Sequence, residues 1–165
     1  MSKRRSDTSA RPEALPIVCL DENLSSPFIA DELRRFRFEW QIELHRTHFP
    51  QPRTPDSEVI GHCGRCGWLL ITKDDNIRRN PENKTAAIAC AAKIFMFATG
   101  NHQRGEYRAA LVAGRHRLLR LARKTPGPFF ARIRMDGNVE LLNDEAIDRA
   151  RLANTEGHVV AQESA

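Results

Sequence analysis

An α/β domain with a mainly parallel central sheet flanked by helices in three layers, closed by a C-terminal β-hairpin, is the fold class that this sequence predicts. Three observations carry it. Two apolar runs, Ile17-Val18-Cys19-Leu20 and Trp68-Leu69-Leu70-Ile71, pass directly into acidic residues, Asp21-Glu22-Asn23 and Lys73-Asp74-Asp75. Near-continuous apolar runs of this length read as strands buried on both faces of a parallel sheet. Helical and strand patterns then alternate along the chain, and an Asp136-Gly137-Asn138 turn separates two final strand-like runs.

Residues 1–14 are polar and charged and are expected to form a flexible arm. A domain at 15–142 and a polar, largely flexible tail at 143–165 are expected to follow. The first strand, Ile17–Leu20, leads through Ser25-Ser26-Pro27, a serine cap with proline in the first turn, into a helix that runs to about Phe36. Phe28, Ile29, Leu33 and Phe36 make its apolar stripe, opposite Arg34, Arg35 and Arg37. Alternation of Trp40, Ile42 and Leu44 with Glu39, Gln41 and Glu43 predicts a second strand. The stretch His45–Pro55 holds three prolines and no regular period, and is expected to be a loop.

Pro55-Asp56-Ser57-Glu58 opens a short helix that Gly64 and Gly67 are expected to end before the strand at Trp68. Asn80-Pro81 is a second cap and first-turn pair, and starts an alanine-rich helix to about Ala92. Lys93–Thr99 predicts a fourth buried strand, and Gln103–Lys124 a long helix with Tyr107, Leu111, Leu118 and Leu121 on one stripe. Thr125-Pro126-Gly127-Pro128 breaks that helix before the hairpin of Phe129–Met135 and Val139–Leu142. A short helix at 144–152 is admitted, with the last ten residues disordered.

With 165 residues, 41% of them hydrophobic, the chain can bury one core but not two full-sized ones. The net charge of +5 is unevenly placed: residues 60–142 carry 15 Lys or Arg against 6 acids, and residues 17–59 carry 5 against 8. An acidic pocket faced by a basic half suits a polyanion held for metal-assisted cleavage. No run approaches the ~18 apolar residues of a membrane span, and the Met1-Ser2-Lys3-Arg4-Arg5 start has no apolar core after it, so a cytoplasmic protein without a membrane is expected. Cys19, Cys63, Cys66 and Cys90 are expected to be reduced thiols. Cys63-Gly64-Arg65-Cys66-Gly67 resembles half of a zinc ribbon, but no second pair exists, so no structural zinc is expected there.

Ligands of open α/β sheets bind outside the carboxyl ends of the strands. If the first and third strands lie side by side, Asp21 and Asp74, with Glu22 and Asp75, converge on one pocket. Clustered carboxylates repel one another unless a cation joins them, and a hard ion that keeps waters, Mg²⁺ or Mn²⁺, fits oxygen donors. A strand-to-helix turn with capping carboxylates would account for Asp21 and Glu22 alone; the matching second run argues for a shared site. Asn23 and Thr72 could orient ligands, while Lys73, Arg78 and Arg79 would neutralise flanking phosphates.

Leu20-Asp21-Glu22-Asn23-Leu24, Pro55-Asp56, Ile71-Thr72-Lys73-Asp74-Asp75-Asn76-Ile77-Arg78-Arg79, Thr99-Gly100-Asn101 and Ala122–Phe129 together resemble PIN-like domains, in particular the PIN-like toxins of type II toxin-antitoxin systems. The resemblance covers roughly residues 15–140. It implies a metal-dependent endoribonuclease acting on RNA and silenced by a cognate antitoxin protein; a homodimer is admitted. Asp21 and Asp74 match the strand-end acids of the family and Asp56 its helix-borne acid, which would be a ligand or a water-holding base. Many PIN domains carry a further acid near the fourth strand, where this chain has Asn101. Either Asp75 or Glu22 makes up that charge, or one metal is held weakly. The competing expectations are a non-catalytic PIN-like nucleic-acid-binding or regulatory module and a nuclease acting on DNA.

Overall fold

Strand β1 (Ile17–Leu20) lies in the middle of a parallel sheet because its side chains are apolar on both faces. The computed structural model describes residues 14–35 and 40–163. In chain order β1 is followed by α1 (Pro27–Arg35), β2 (Gln41–Leu44), α2 (His45–His48), α3 (Asp56–Cys66) and β3 (Leu69–Thr72). A 3-10 turn (Asp75–Arg78), α4 (Pro81–Ala89), β4 (Lys93–Phe97), α5 (Arg104–Lys124), β5 (Phe129–Ile133), β6 (Val139–Leu141) and α6 (Glu145–Glu163) complete it. The expected arm through residue 13, and the predicted helix end at Phe36 and strand start at Glu39, lie outside the described residues.

The strands order as β2-β1-β3-β4-β5-β6, all parallel except the final hairpin pair. Alternate strand residues feed two cores. Val18, Leu20, Leu69, Ile71, Phe95, Phe97 and Phe129 face α1 and α5, meeting Ile29, Leu33, Leu111 and Leu118. Cys19, Leu70, Ile94, Met96 and Phe130 face α3, α4 and α6, meeting Val59, Ile60, Ala87 and Ile147. This is the three-layer PIN-like α/β architecture that the alternation of patterns predicts, and the β5–β6 pair is the expected hairpin, with Gly137 at φ 88 in its turn.

Several local expectations are corrected. His45–His48 forms a short helix inside the stretch read as loop, since only the part from Phe49 onward holds the prolines. Helix α3 does not stop at Gly64 but continues to Cys66, with Gly67 at φ 69 as its left-handed cap. Gly64 has a different cause: a Cβ there would stand 2.6 Å from both Cβ and the carbonyl oxygen of Cys90, so it marks the close approach of α3 and the end of α4. Ser25 does not cap α1; its hydroxyl donates to Leu20 O at 2.6 Å and accepts the His45 N–H at 2.8 Å, tying the end of β1 to the end of β2.

The segment after Asn143 is a long helix, not a short one followed by disorder. Ile147 is fully buried, Lys84 Nζ contacts Asp144 Oδ2 at 2.6 Å, and Asn154 donates to Gly127 O at 3.3 Å. So narrow a buried stripe in a polar segment gives little periodic signal. No helix among the described residues is long and apolar enough to cross a membrane.

Candidate functional site

Parallel pairing of Leu20 with Ile71 brings the residues just beyond β1 and β3 together, and the Asp21 N–H extends the ladder by donating to Ile71 O at 2.9 Å. Asp21 and Thr72 therefore lie side by side on the face covered by α3 and α4. The buried Thr72 hydroxyl donates to Asp21 Oδ2 at 2.8 Å and accepts the Asp74 N–H at 3.1 Å. Asp21 Oδ1 accepts the Glu22 N–H at 2.7 Å. Asp74 caps the 3-10 turn, its Oδ1 accepting the Asn76 N–H at 2.8 Å. One hydroxyl and two local turns thus fix both strand-end aspartates.

Asp56 arrives from a different direction, as the first residue of α3, which packs on α4. Partial burial pushes its carboxyl above the usual range, and the charges of Asp21 and then Asp74 push it further; a hydrogen bond from Asn83 and the nearness of His45 pull the other way. That mutual repulsion is direct electrostatic contact among three carboxylates from three separate segments. Asn83 is itself buried, its side-chain amide donating to Ile77 O at 3.1 Å. Asp21, Asp56 and Asp74 make no ion pair with Lys or Arg among the described residues.

Three oxygen-only donors that repel one another suit a hard cation which keeps several waters. They do not form a ready-made cage: among the described residues no group of three His, Cys, Asp or Glu side chains is close enough to hold an ion by itself. The arrangement therefore fits one or two direct carboxylates with the rest of the shell as water, rather than an all-protein site.

The profile of the PIN like domain family matches residues 16–99, a stretch that contains β1 through β4 and all three aspartates. The chain belongs to the PIN-like domain family. It is also 26% identical over 115 residues to a Mycobacterium tuberculosis protein named "Putative ribonuclease VapC45", a match that covers 68% of this chain and 81% of that protein. No solved structure gives a significant match.

Beyond the three aspartates, the other PIN-like candidates fall in distinct places. Glu22, Asn23, Lys73 and Arg79 are exposed around the strand ends, and Asn101 is exposed in the loop after β4. Asp75, expected among the metal ligands, is turned inward instead. It is 7% exposed, with Arg132 Nη2 at 3.3 Å and Arg78 Nε at 3.6 Å from Oδ1. Its charge is already balanced by guanidiniums, so it supplies no spare negative charge for an ion. Arg78, expected to meet phosphates, shares that pairing. Sequence reasoning missed Ser25, Asn83 and Arg132: each acts through a partner distant in sequence, and only the sheet register reveals the last.

The cysteines divide as buried and accessible. Cys63 is buried, and its thiol is pushed far up by a hydrogen bond with Cys19 and then by burial. Cys66 is exposed and 3.8 Å from His62 Nε2 on the preceding turn.

Proposed function

We propose that this chain is a metal-dependent endoribonuclease of the toxin-antitoxin type, acting on RNA in the cytoplasm and restrained by a cognate antitoxin. The observation that carries the reading is the electrostatic coupling of Asp56 to Asp21 and Asp74 at the carboxyl edge of a PIN-like sheet. The name of the mycobacterial relative supports ribonuclease chemistry and the toxin role. Asp21 and Asp74 would be direct ligands of Mg²⁺ or Mn²⁺. The bound ion supplies a water of lowered pKa and a counter-charge for the oxyanion.

The chain's own residues do the rest. Thr72 fixes the Asp21 carboxylate and the Asp74 backbone, so neither ligand needs to reorganise when charge develops. Asp56, whose raised pKa makes it the most readily protonated of the three, is suited to take a proton from the attacking water. Lys73 and Arg79, exposed beside these acids, would neutralise neighbouring phosphates.

A specific observation favours one rival: no three-ligand group is preformed, as would hold for a PIN-like module that binds nucleic acid without cutting it. One assay separates the readings. Single-stranded RNA and DNA are incubated with wild type, Asp21→Asn and Asp74→Asn from identical purifications, with Mg²⁺, Mn²⁺, Ca²⁺ or a chelator. The reading expects RNA cleavage by wild type with Mg²⁺ or Mn²⁺, little with Ca²⁺, and none by either variant, each folded. Cleavage that persists in both variants overturns it, binding without cleavage moves the chain to the rival, and cleavage confined to DNA changes the substrate.

A further inference from the structure

The site continues two strands beyond the carboxylates. Thr72 pairs with Met96 and Met96 with Arg132, so the three form one transverse row on the face that carries Asp21. Strands repeat at about 4.8 Å, which places Arg132 roughly 10 Å along the sheet edge from Thr72. Met96, between them, is fully buried. Arg132 does not project from β5 at random: its Nη2 donates to Asp75 Oδ1 at 3.3 Å, and Arg78 Nε approaches the same oxygen at 3.6 Å.

A nearly buried carboxylate needs such partners, but the local charges do not cancel. Arg132 Nη1 also lies 3.8 Å from Glu140 Oε1, and Glu140 is shared with Arg134 at 3.1 Å. Arg78, Arg132 and Arg134 therefore face only Asp75 and Glu140, which leaves one positive charge in excess. The inner Nε–H groups of Arg78 and Arg132 are buried without a hydrogen-bond partner among the described residues. Charge, rather than a closed hydrogen-bond net, holds these guanidiniums, and both side chains keep a solvent-facing part, 30% and 25% exposed. Asp75 fixes their inner edges and leaves outer N–H groups for an anion.

We propose that Arg132 and Arg78 clamp a backbone phosphate of the RNA next to the scissile one, and that Asp75 is the positioning residue for both guanidiniums rather than a metal ligand. This rests on the ribonuclease reading above and extends its substrate path from β1 and β3 across β4 to β5. A guanidinium fork matches phosphate oxygens in a way that a lysine point charge does not. The strand would run along the carboxyl edge of the sheet, with the acids under one phosphodiester and the arginines under a neighbour.

The test uses full-length wild type, Arg132→Gln, Arg132→Lys, Asp75→Asn and Asp74→Asn. It combines steady-state RNA cleavage, salt-dependent binding of a labelled single-stranded RNA in chelator, Mn²⁺ binding by calorimetry and melting temperature. Arg132→Gln is expected to raise KM about tenfold, with kcat and Mn²⁺ affinity near wild type. Its log-log salt slope should become less negative by about 0.7. Arg132→Lys should restore the slope but only part of KM, which keeps the clamp testable if Arg132→Gln does not fold. Asp75→Asn should weaken RNA binding and spare Mn²⁺ binding, whereas Asp74→Asn should do the reverse. Unchanged KM and slope in a folded Arg132→Gln, with active wild type, overturns the clamp alone. Loss of Mn²⁺ binding in Asp75→Asn overturns its positioning role. Wild type that neither binds nor cleaves RNA removes the ribonuclease reading and the clamp with it.

Discussion

The hydroxyl of Thr72 donates to Asp21 Oδ2 at 2.8 Å across 51 residues of sequence, and the same oxygen accepts the Asp74 N–H. Thr72→Val keeps the shape of the side chain and removes this junction. Outer contacts of this kind are worth about 10–100-fold in metal affinity or activity. Thr72→Val should therefore lower both cleavage and Mn²⁺ affinity by such a factor, with Thr72→Ser close to wild type. Equal activity of the Val and Ser variants would show that the aspartates orient themselves.

Asp56 gives a pH signature. Burial and the charges of Asp21 and Asp74 raise its pKa in the folded protein, so the folded state holds its proton more tightly than the unfolded chain. Metal-free protein should consequently lose stability as pH rises from the ordinary carboxylate range through the raised value of Asp56. Asp56→Asn should abolish that loss and leave metal-free protein more stable at neutral pH. Melting curves across pH in chelator measure it, and a pH profile identical in wild type and variant would refute the coupling.

Asp144 behaves in the opposite sense. Burial pushes its carboxyl up, but hydrogen bonding from Lys84 and from the first turn of α6 outweighs this and holds it below the usual range. The stabilisation is present above the unfolded carboxylate pKa and is lost as pH falls through the lower folded value. Asp144→Asn should cost about 1 kcal/mol at neutral pH and little under acid conditions. Ile147→Ala, which empties a fully buried position on the same helix, should cost about 2–5 kcal/mol at either pH. A wild-type-like melting temperature for Ile147→Ala would mean that α6 is not docked as described.

The thiols report the packing of α3. A charged thiol reagent applied to native protein should modify the exposed Cys66 first and leave Cys19 and Cys63 untouched until unfolding. Purified protein should contain no zinc, because Cys63 and Cys66 do not meet on one site: Cys63 faces Cys19, and Cys66 faces His62. One zinc per chain, lost together with folding, would contradict this.

The strands were legible in the sequence because both faces are buried: Ile17–Leu20 and Leu69–Thr72 need no context to read as parallel strands, and their terminal acids followed from them. Asn80-Pro81 and Asp136-Gly137-Asn138 were legible for a local reason, since caps and turns are chemistry between near neighbours. What failed was non-local. Gly64 looked like a helix stop because the backbone of Cys90 that requires it is on another helix. Asp75 looked equivalent to Asp74, yet adjacent residues near a strand end point to opposite sides, and its guanidinium partner stands two strands away. The tail looked unstructured because a single fully buried isoleucine anchors it.

The parallel ladder also sets when the site can exist during synthesis. β1 has β2 on one side and β3 on the other, and Asp21 is anchored through Ile71 and Thr72. A ribosome that has released only the first two strands has made Asp21 without its neighbour, and the pairing still to come closes a loop of some 50 residues. The carboxylates therefore assemble only after the middle of the chain has emerged. A nascent chain of such a protein passes the first part of its translation with its reactive edge still in pieces.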